Sequence, residues 1–150
     1  LKQKEKGVLP ITDEHMTRFN ITLQEGVDFV LKCMEKMWGG ELFVPIIPSY
    51  KILDIAEAIA PGIKHDIVGI RPGEKLHEEM ITQTDSMNTV KFDDYFVILP
   101  STPLWDAEKF ITDSNLSIGK MCEFEFSYNS GTNNQFLTVD ELKYLIKNHI

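Results

Sequence analysis

Apolar positions Leu23, Val27, Val30, Leu31, Met34 and Trp38 recur at helical spacing. Thr22 and Glu25 form a Thr-x-x-Glu capping box in front of them, and Gly39-Gly40 closes the pattern, which predicts a helix from about Thr22 to Trp38. Glu41–Ile46 then reads as a short buried strand. Lys51–Ala60 reads as a second helix with Ile52, Ile55, Ala56 and Ile59 on one face, ended by Pro61-Gly62. Asp66–Ile70 fits a short strand, Lys75–Ile81 a short helix, and Val90–Leu99 an interrupted strand. Residues 100–120 have little period and read as a loop with one helical turn. Cys122, Phe124, Phe126 and Tyr128 alternate with Glu123, Glu125 and Ser127, the pattern of a half-buried strand. The box Thr138-x-x-Glu141 opens a last helix carrying Val139, Leu142, Leu145 and Ile146. With no repeat, low-complexity stretch or linker, residues 1–150 are expected to form one mixed α/β domain.

Composition narrows the classes. A chain of 150 residues, 43% hydrophobic and 25% charged, can bury a real core and is not of the disordered type. No apolar run approaches the roughly 20 residues of a membrane helix, and Leu1-Lys2-Gln3-Lys4-Glu5-Lys6 is no signal peptide. Cys33 and Cys122 lack Cys-x-x-Cys spacing and read as reduced core residues. The expected location is therefore cytoplasmic, where the Asn-x-Ser/Thr matches at Asn20 and Asn115 are chance. A net charge of −8 argues against a nucleic-acid surface, which needs clustered cations. It leaves room for a small anion at a local positive site. Only Arg18 and Arg71 among the fifteen basic residues are arginines, the side chain whose planar fork suits phosphate.

Several chemistries are absent from the sequence. There is no Gly-x-Gly-x-x-Gly, Walker loop, Gly-x-Ser-x-Gly or His-Glu-x-x-His; His77-Glu78 is followed by Ile81 where a second histidine would stand. His15, His65, His77 and His149 show no metal spacing. No tyrosine has a lysine four positions on. Neither a dinucleotide loop nor an acid/base pair is recognisable. Two segments stand out, Leu9–Phe19 (LPITDEHMTRF) and Gly69–Glu78 (GIRPGEKLHE), and each holds one of the arginines. Pro72-Gly73 suits a type II turn, proline fixing φ and glycine supplying φ > 0. Such a turn sets Arg71 at a strand end with Glu74 beside it, where the pair can grip a phosphate and a ribose diol or form an ordinary ion pair.

Taken together the segments resemble the polysaccharide-biosynthesis branch of the extended short-chain dehydrogenase/reductase superfamily. They most resemble its inverting UDP-N-acetylglucosamine 4,6-dehydratases of the pseudaminic acid pathway. The matching stretches are Pro10–Asp13 with Met16–Phe19, Thr22–Val30, Gly40–Pro48, Lys51–Asp54, Val68–Glu78 (VGIRPGEKLHE), Met80-Ile81, Asn88-Thr89, Phe92–Tyr95 and Phe126–Tyr128. The resemblance implies a small mixed α/β substrate-binding lobe, without the N-terminal Rossmann half. It implies that Arg18 and Arg71 contact the UDP pyrophosphate, that Glu74 holds the uridine ribose, and that Thr12 and His77 lie near the nucleotide. It also implies that no catalytic or cofactor-binding residue lies in this chain. The NADP, the Tyr-Lys pair and the acid/base residues belong to the N-terminal half, and the complete enzyme is a homo-oligomer with no nucleic-acid or membrane partner. The first residues, by the same resemblance, end a helix leading into Pro10–Asp13.

Three positions depart from the pattern. Asn20 stands where a large aromatic residue is usual, Ile46 where lysine is common, and Ser101–Met121 has no counterpart. Two other readings accompany the dehydratase: a non-catalytic nucleotide-sugar-binding or assembly module working with a separate chain, and the UDP-gripping lobe of a 4-epimerase. The VGIRPGEKLHE wording favours the dehydratase.

Overall fold

The computed structural model describes residues 7–113, 115 and 117–149. In chain order the elements are β1 (Val8–Ile11), β2 (Thr17–Phe19), α1 (Leu23–Lys36), β3 (Leu42–Pro45), β4 (Ser49–Lys51), α2 (Ile52–Ile59) and β5 (Lys64–Ile67). They continue with β6 (Glu79–Ile81), β7 (Thr89–Lys91), β8 (Tyr95–Ile98), α3 (Ala107–Thr112), β9 (Lys120–Met121), β10 (Tyr128–Asn129) and α4 (Val139–His149). The class is mixed α/β, as expected. The described residues fall into two compact units, the chain passing between them after Asn20, Ile46, Glu78 and Tyr128. The helix end expected at the start of the chain lies outside the described residues.

The first unit takes residues up to Asn20, then Ile47–Glu78 and Asn129 onward. Here β1 runs parallel to β5, pairing Val8 with Lys64 and Ile11 with Ile67, while β2 runs antiparallel to β4, setting Arg18 opposite Tyr50. Helix α2 packs against α4, and Ile11, Met16, Ala56, Ala60 and Leu142 are buried. The capping box predicted for α4 is present: Thr138 N–H donates to Glu141 at 2.8 Å and Glu141 N–H donates to Thr138 Oγ1 at 3.3 Å.

The second unit holds Ile21–Ile46 and Glu79–Tyr128. Its sheet has the order β3-β8-β7-β9, all antiparallel, so β3 is an edge. Val90, Phe92, Tyr95, Val97 and Phe110 form the core, with Phe92 stacked on Tyr95 at 4.9 Å. Trp38 meets Phe110 edge-on at 5.4 Å, and Trp105 donates its indole N–H to the Gly39 carbonyl. The Thr22/Glu25 capping box is formed as expected. Yet no residue of α1 is buried; Leu23 is 87% exposed and Met34 64%. The helical period gave the helix, but an amphipathic stripe does not itself say what covers it.

Several local expectations change. Lys75–Ile81 is not helical. Glu78 donates its N–H to the Ser130 hydroxyl and accepts the Ser130 N–H on its carbonyl instead of continuing an i→i−4 ladder, and Glu79–Ile81 is a strand. The alternation at 122–128 does not make one strand either. Phe126 N–H closes a turn on the Glu123 carbonyl and Glu125 sits at φ 63, so β10 begins only at Tyr128. The strand expected over Asp66–Ile70 lies earlier, at Lys64–Ile67, where β1 supplies its partner. The interrupted strand is a β7–β8 hairpin, and the helical turn at 100–120 is the six-residue α3, capped by Asp106. Leu42 of β3 is 60% exposed rather than buried.

Candidate functional site

Strand β2 alternates its side chains, as a pleat must. Thr17 is buried, and Arg18 carries its guanidinium to a surface where the side chain is 19% exposed. The run from Arg71 to Glu78 meets this strand where Thr17 N–H donates to the Leu76 carbonyl at 3.1 Å. Its first four residues form the predicted turn. Glu74 N–H donates to the Arg71 carbonyl at 3.0 Å and Gly73 adopts φ 84, a conformation that penalises any residue with a Cβ.

Glu74 is the junction of the two sequence segments. One carboxylate oxygen accepts the Arg71 backbone N–H at 3.3 Å, and the other lies 3.9 Å from Arg18 Nη2. Arg18 is held further by the Thr17 and Leu76 carbonyls, which accept from Nη1 at 2.6 and 3.2 Å. A second carboxylate, Glu78, sits 3.7 Å from Arg18 Nε and accepts the Phe19 N–H at 3.0 Å. At these distances and exposures each ion pair contributes roughly 1 kcal/mol or less, so the carbonyl hydrogen bonds, not the carboxylates, fix the guanidinium plane.

His77 sits at the other side of β2. Its Nδ1 is 2.8 Å from Thr17 Oγ1, which in turn is 2.7 Å from Ser130 Oγ. Ser130 is fully buried, accepts the Glu78 N–H at 2.9 Å, and donates its own N–H to the Glu78 carbonyl. The turn beyond it passes so close to His77 that a Cβ on Gly131 would fall 2.7 Å from the imidazole ring.

Two titrating groups report on this field. Burial, and then the Glu78 charge, push the Tyr50 phenol above its ordinary value of 10.0, with Arg18 pulling partly back. Tyr50 therefore stays a protonated donor beside the cluster at neutral pH. Asp13 is held below its ordinary 3.8, first by the His15 backbone N–H it accepts, with His15 and His77 charge adding to the effect.

The expected site residues thus separate. Arg18 and Glu74 are brought together, and His77 joins them through Thr17. Arg71 shares the turn through its backbone, and its exposed guanidinium forms no ion pair among the described residues. Thr12 follows β1 and, among the described residues, forms no hydrogen bond to Arg18, Glu74 or His77. Sequence reasoning missed Thr17, Tyr50, Glu78, Ser130 and Gly131. Glu78 stands inside the VGIRPGEKLHE string, where the sequence alone gives it no role. Ser130 and Gly131, more than fifty positions away, gave no signal.

Comparison with known proteins places the chain. Residues 1–100, two-thirds of its length, match the profile of the polysaccharide biosynthesis protein family, and the chain belongs to that family. It is 49% identical over 142 residues to the UDP-N-acetylglucosamine 4,6-dehydratase (inverting) of Campylobacter jejuni subsp. jejuni serotype O:23/36 (strain 81-176). That match covers 94% of this chain and 42% of the relative. A UDP-glucose 4-epimerase of Rickettsia canadensis (strain McKiel) is 26% identical over 147 residues, covering 95% of this chain and 42% of that protein. The X-ray structure of Pen from Bacillus thuringiensis superposes with a TM-score of 0.75 at 26% identity, covering 98% of this chain and 43% of that one. The chain therefore spans well under half the length of these relatives.

Among the described residues, the helix starts do not fit the diphosphate of a nicotinamide dinucleotide. Helices α1, α2, α3 and α4 open after Ile21-Thr22, Tyr50-Lys51, Trp105-Asp106 and Leu137-Thr138. None of these turns offers the glycine amides that cradle a diphosphate at a helix start.

Proposed function

We propose that this chain is the UDP-sugar-binding part of an NADP-dependent UDP-N-acetylglucosamine 4,6-dehydratase (5-inverting), a lyase of surface polysaccharide or flagellin glycan biosynthesis. The whole activity is assigned to a longer assembly. An N-terminal Rossmann half, which the longer relatives have room for, binds NADP and carries the hydride, proton and water transfers. Residues 1–150 are assigned as the nucleotide-sugar-binding region of that enzyme, working in the cytoplasm within a homo-oligomer. The observation that carries the reading is Glu74, whose one carboxylate meets both arginine-bearing segments, with Arg18 at 3.9 Å and the Arg71 backbone at 3.3 Å. On this reading the Arg18 and Arg71 guanidiniums take the pyrophosphate, and Glu74 accepts from the ribose diol. Thr12 and His77 flank the nucleotide.

The 4-epimerase reading shares the same UDP grip, and the identity of 49% against 26% favours the dehydratase. The non-catalytic module shares it too, and is separated from the enzyme by whether a Rossmann half is encoded immediately upstream in the same reading frame. The test is calorimetric titration with UDP. Arg71→Lys keeps the charge and loses the fork, and should weaken binding by about tenfold or more. Glu74→Gln should weaken it less, because an amide oxygen still accepts from one hydroxyl. Lys75→Ala should leave it unchanged. Equal small losses for Arg71→Lys and Lys75→Ala would mean that the turn is only structural.

A further inference from the structure

We infer that Thr17, oriented by Ser130, is a positioning residue that holds the neutral His77 ring in one tautomer, its proton on Nε2, as a fixed donor to an oxygen of the bound ligand. The identity of that ligand as a nucleotide rests on the reading above; the tautomer does not. Four groups form one chain of hydrogen bonds. The Glu78 N–H donates to Ser130 Oγ at 2.9 Å, Ser130 Oγ lies 2.7 Å from Thr17 Oγ1, and Thr17 Oγ1 lies 2.8 Å from His77 Nδ1. Each hydroxyl has a single proton to give, and the backbone N–H can only donate. Ser130 and Thr17 are both buried, where a proton without an acceptor is costly.

The direction of the chain follows from where its protons can go. When Ser130 donates to Thr17 and Thr17 to His77, every proton is used and Nδ1 is an acceptor. In the reverse order Nδ1–H would donate to Thr17 and Thr17 to Ser130. Ser130 Oγ would then accept from both Glu78 and Thr17, and its own proton would meet no acceptor among the described residues. If Thr17 instead accepted from both neighbours, the stranded proton would be its own. Turning the ring over would set Cδ2 against Thr17 and strand that proton again. The Gly131 backbone, where an added Cβ would fall 2.7 Å from the ring, also leaves little room to turn. The neutral ring therefore carries its proton on Nε2. That nitrogen forms no hydrogen bond among the described residues, yet it is not buried, since the buried unpartnered side-chain nitrogen there is His65 Nε2. An accessible N–H on a ring so held is a directional donor, suited to a phosphate or sugar oxygen without adding charge.

Nitrogen-15 spectra of the histidine-labelled chain read the tautomer directly. The chain has four histidines, His15, His65, His77 and His149, which through-bond spectra assign. In alkaline buffer, where a free imidazole is neutral, His77 should show Nε2 wholly protonated and Nδ1 wholly unprotonated. N-acetylhistidine amide, the reference, shows the averaged signals of two exchanging tautomers. Thr17→Val removes the hydroxyl at nearly constant volume and should return His77 to that averaged pair, while Thr17→Ser should restore the single tautomer. Adding UDP should shift the His77 Nε2–H signal of the wild-type chain. Thr17→Val should weaken UDP binding roughly two- to tenfold, because the freed ring must then be ordered on binding. Averaged signals or an Nδ1–H form in the wild type would overturn the proposal, and that spectrum decides even if Thr17→Val fails to fold. A single tautomer surviving in folded Thr17→Val would overturn it too, as would UDP binding that leaves the Nε2–H signal unmoved. If UDP does not bind while the single tautomer is present and lost in Thr17→Val, the hydrogen-bond chain stands and the nucleotide reading fails.

Discussion

Gly131→Ala tests the architecture beneath the site. An added Cβ would lie 2.7 Å from His77 Cγ and Nδ1 and 2.9 Å from Cδ2, closer than side-chain atoms approach. The ring cannot yield without disturbing its 2.8 Å bond to Thr17 Oγ1. Losing that bond costs about 1 kcal/mol, and overpacking a tight site adds roughly 1–3 kcal/mol. Together these give about 2–4 kcal/mol of destabilisation, which at a urea slope of roughly 1–3 kcal/mol/M lowers the midpoint by about 1 M or more. The matched comparison is Gly26→Ala. Gly26 lies inside α1, its added Cβ would meet only Ile21 Cδ1 at 3.9 Å, and alanine there should stabilise by roughly 0.5–1 kcal/mol. Urea unfolding followed by far-ultraviolet circular dichroism measures both. A Gly131→Ala midpoint equal to wild type would refute the close packing of the 129–131 turn on His77.

Other outcomes follow from the same structure. The chain by itself should give no 4-keto sugar from UDP-N-acetylglucosamine and NADP, since it offers no dinucleotide loop or Tyr-x-x-x-Lys; turnover above background contradicts the assignment of the chemistry to a separate half. The uncovered apolar face of α1 should drive self-association of the isolated chain, and Val30→Glu, at a position 57% exposed, should shift sedimentation toward the monomer. Thr138→Ala should cost about 1 kcal/mol by removing the α4 cap, read as a lower melting temperature. The Thr138 backbone N–H and hydroxyl hold Glu141 below its ordinary value of 4.5. A lowered carboxylate pKa contributes stability above the unfolded value that is lost as pH falls through the folded one. The melting temperature should therefore fall below pH 4.5 less steeply in Glu141→Gln than in wild type.

The elements written in short-range code were legible in the chain. Both capping boxes formed where Thr22/Glu25 and Thr138/Glu141 placed them, because a cap involves residues three apart and little else. The 71–74 turn followed from Pro72-Gly73 for the same reason. The singular placement of the two arginines, with the family resemblance of their segments, pointed to this part of the surface before any fold was available. Long-range competition decided the rest. Lys75–Ile81 had a helical look, yet the backbone of Glu78 pairs with Ser130, fifty-two positions on. The alternation at 122–128 promised a strand, but a strand exists only where another offers a ladder, and residues 123–126 close a turn instead. Glu78 carried no sign that its carboxylate would meet Arg18 and the Phe19 amide. That sixty-residue juxtaposition, with the buried hydroxyls of Thr17 and Ser130 beside it, arises only when β2, the 71–78 run and the 129–131 turn are folded against one another.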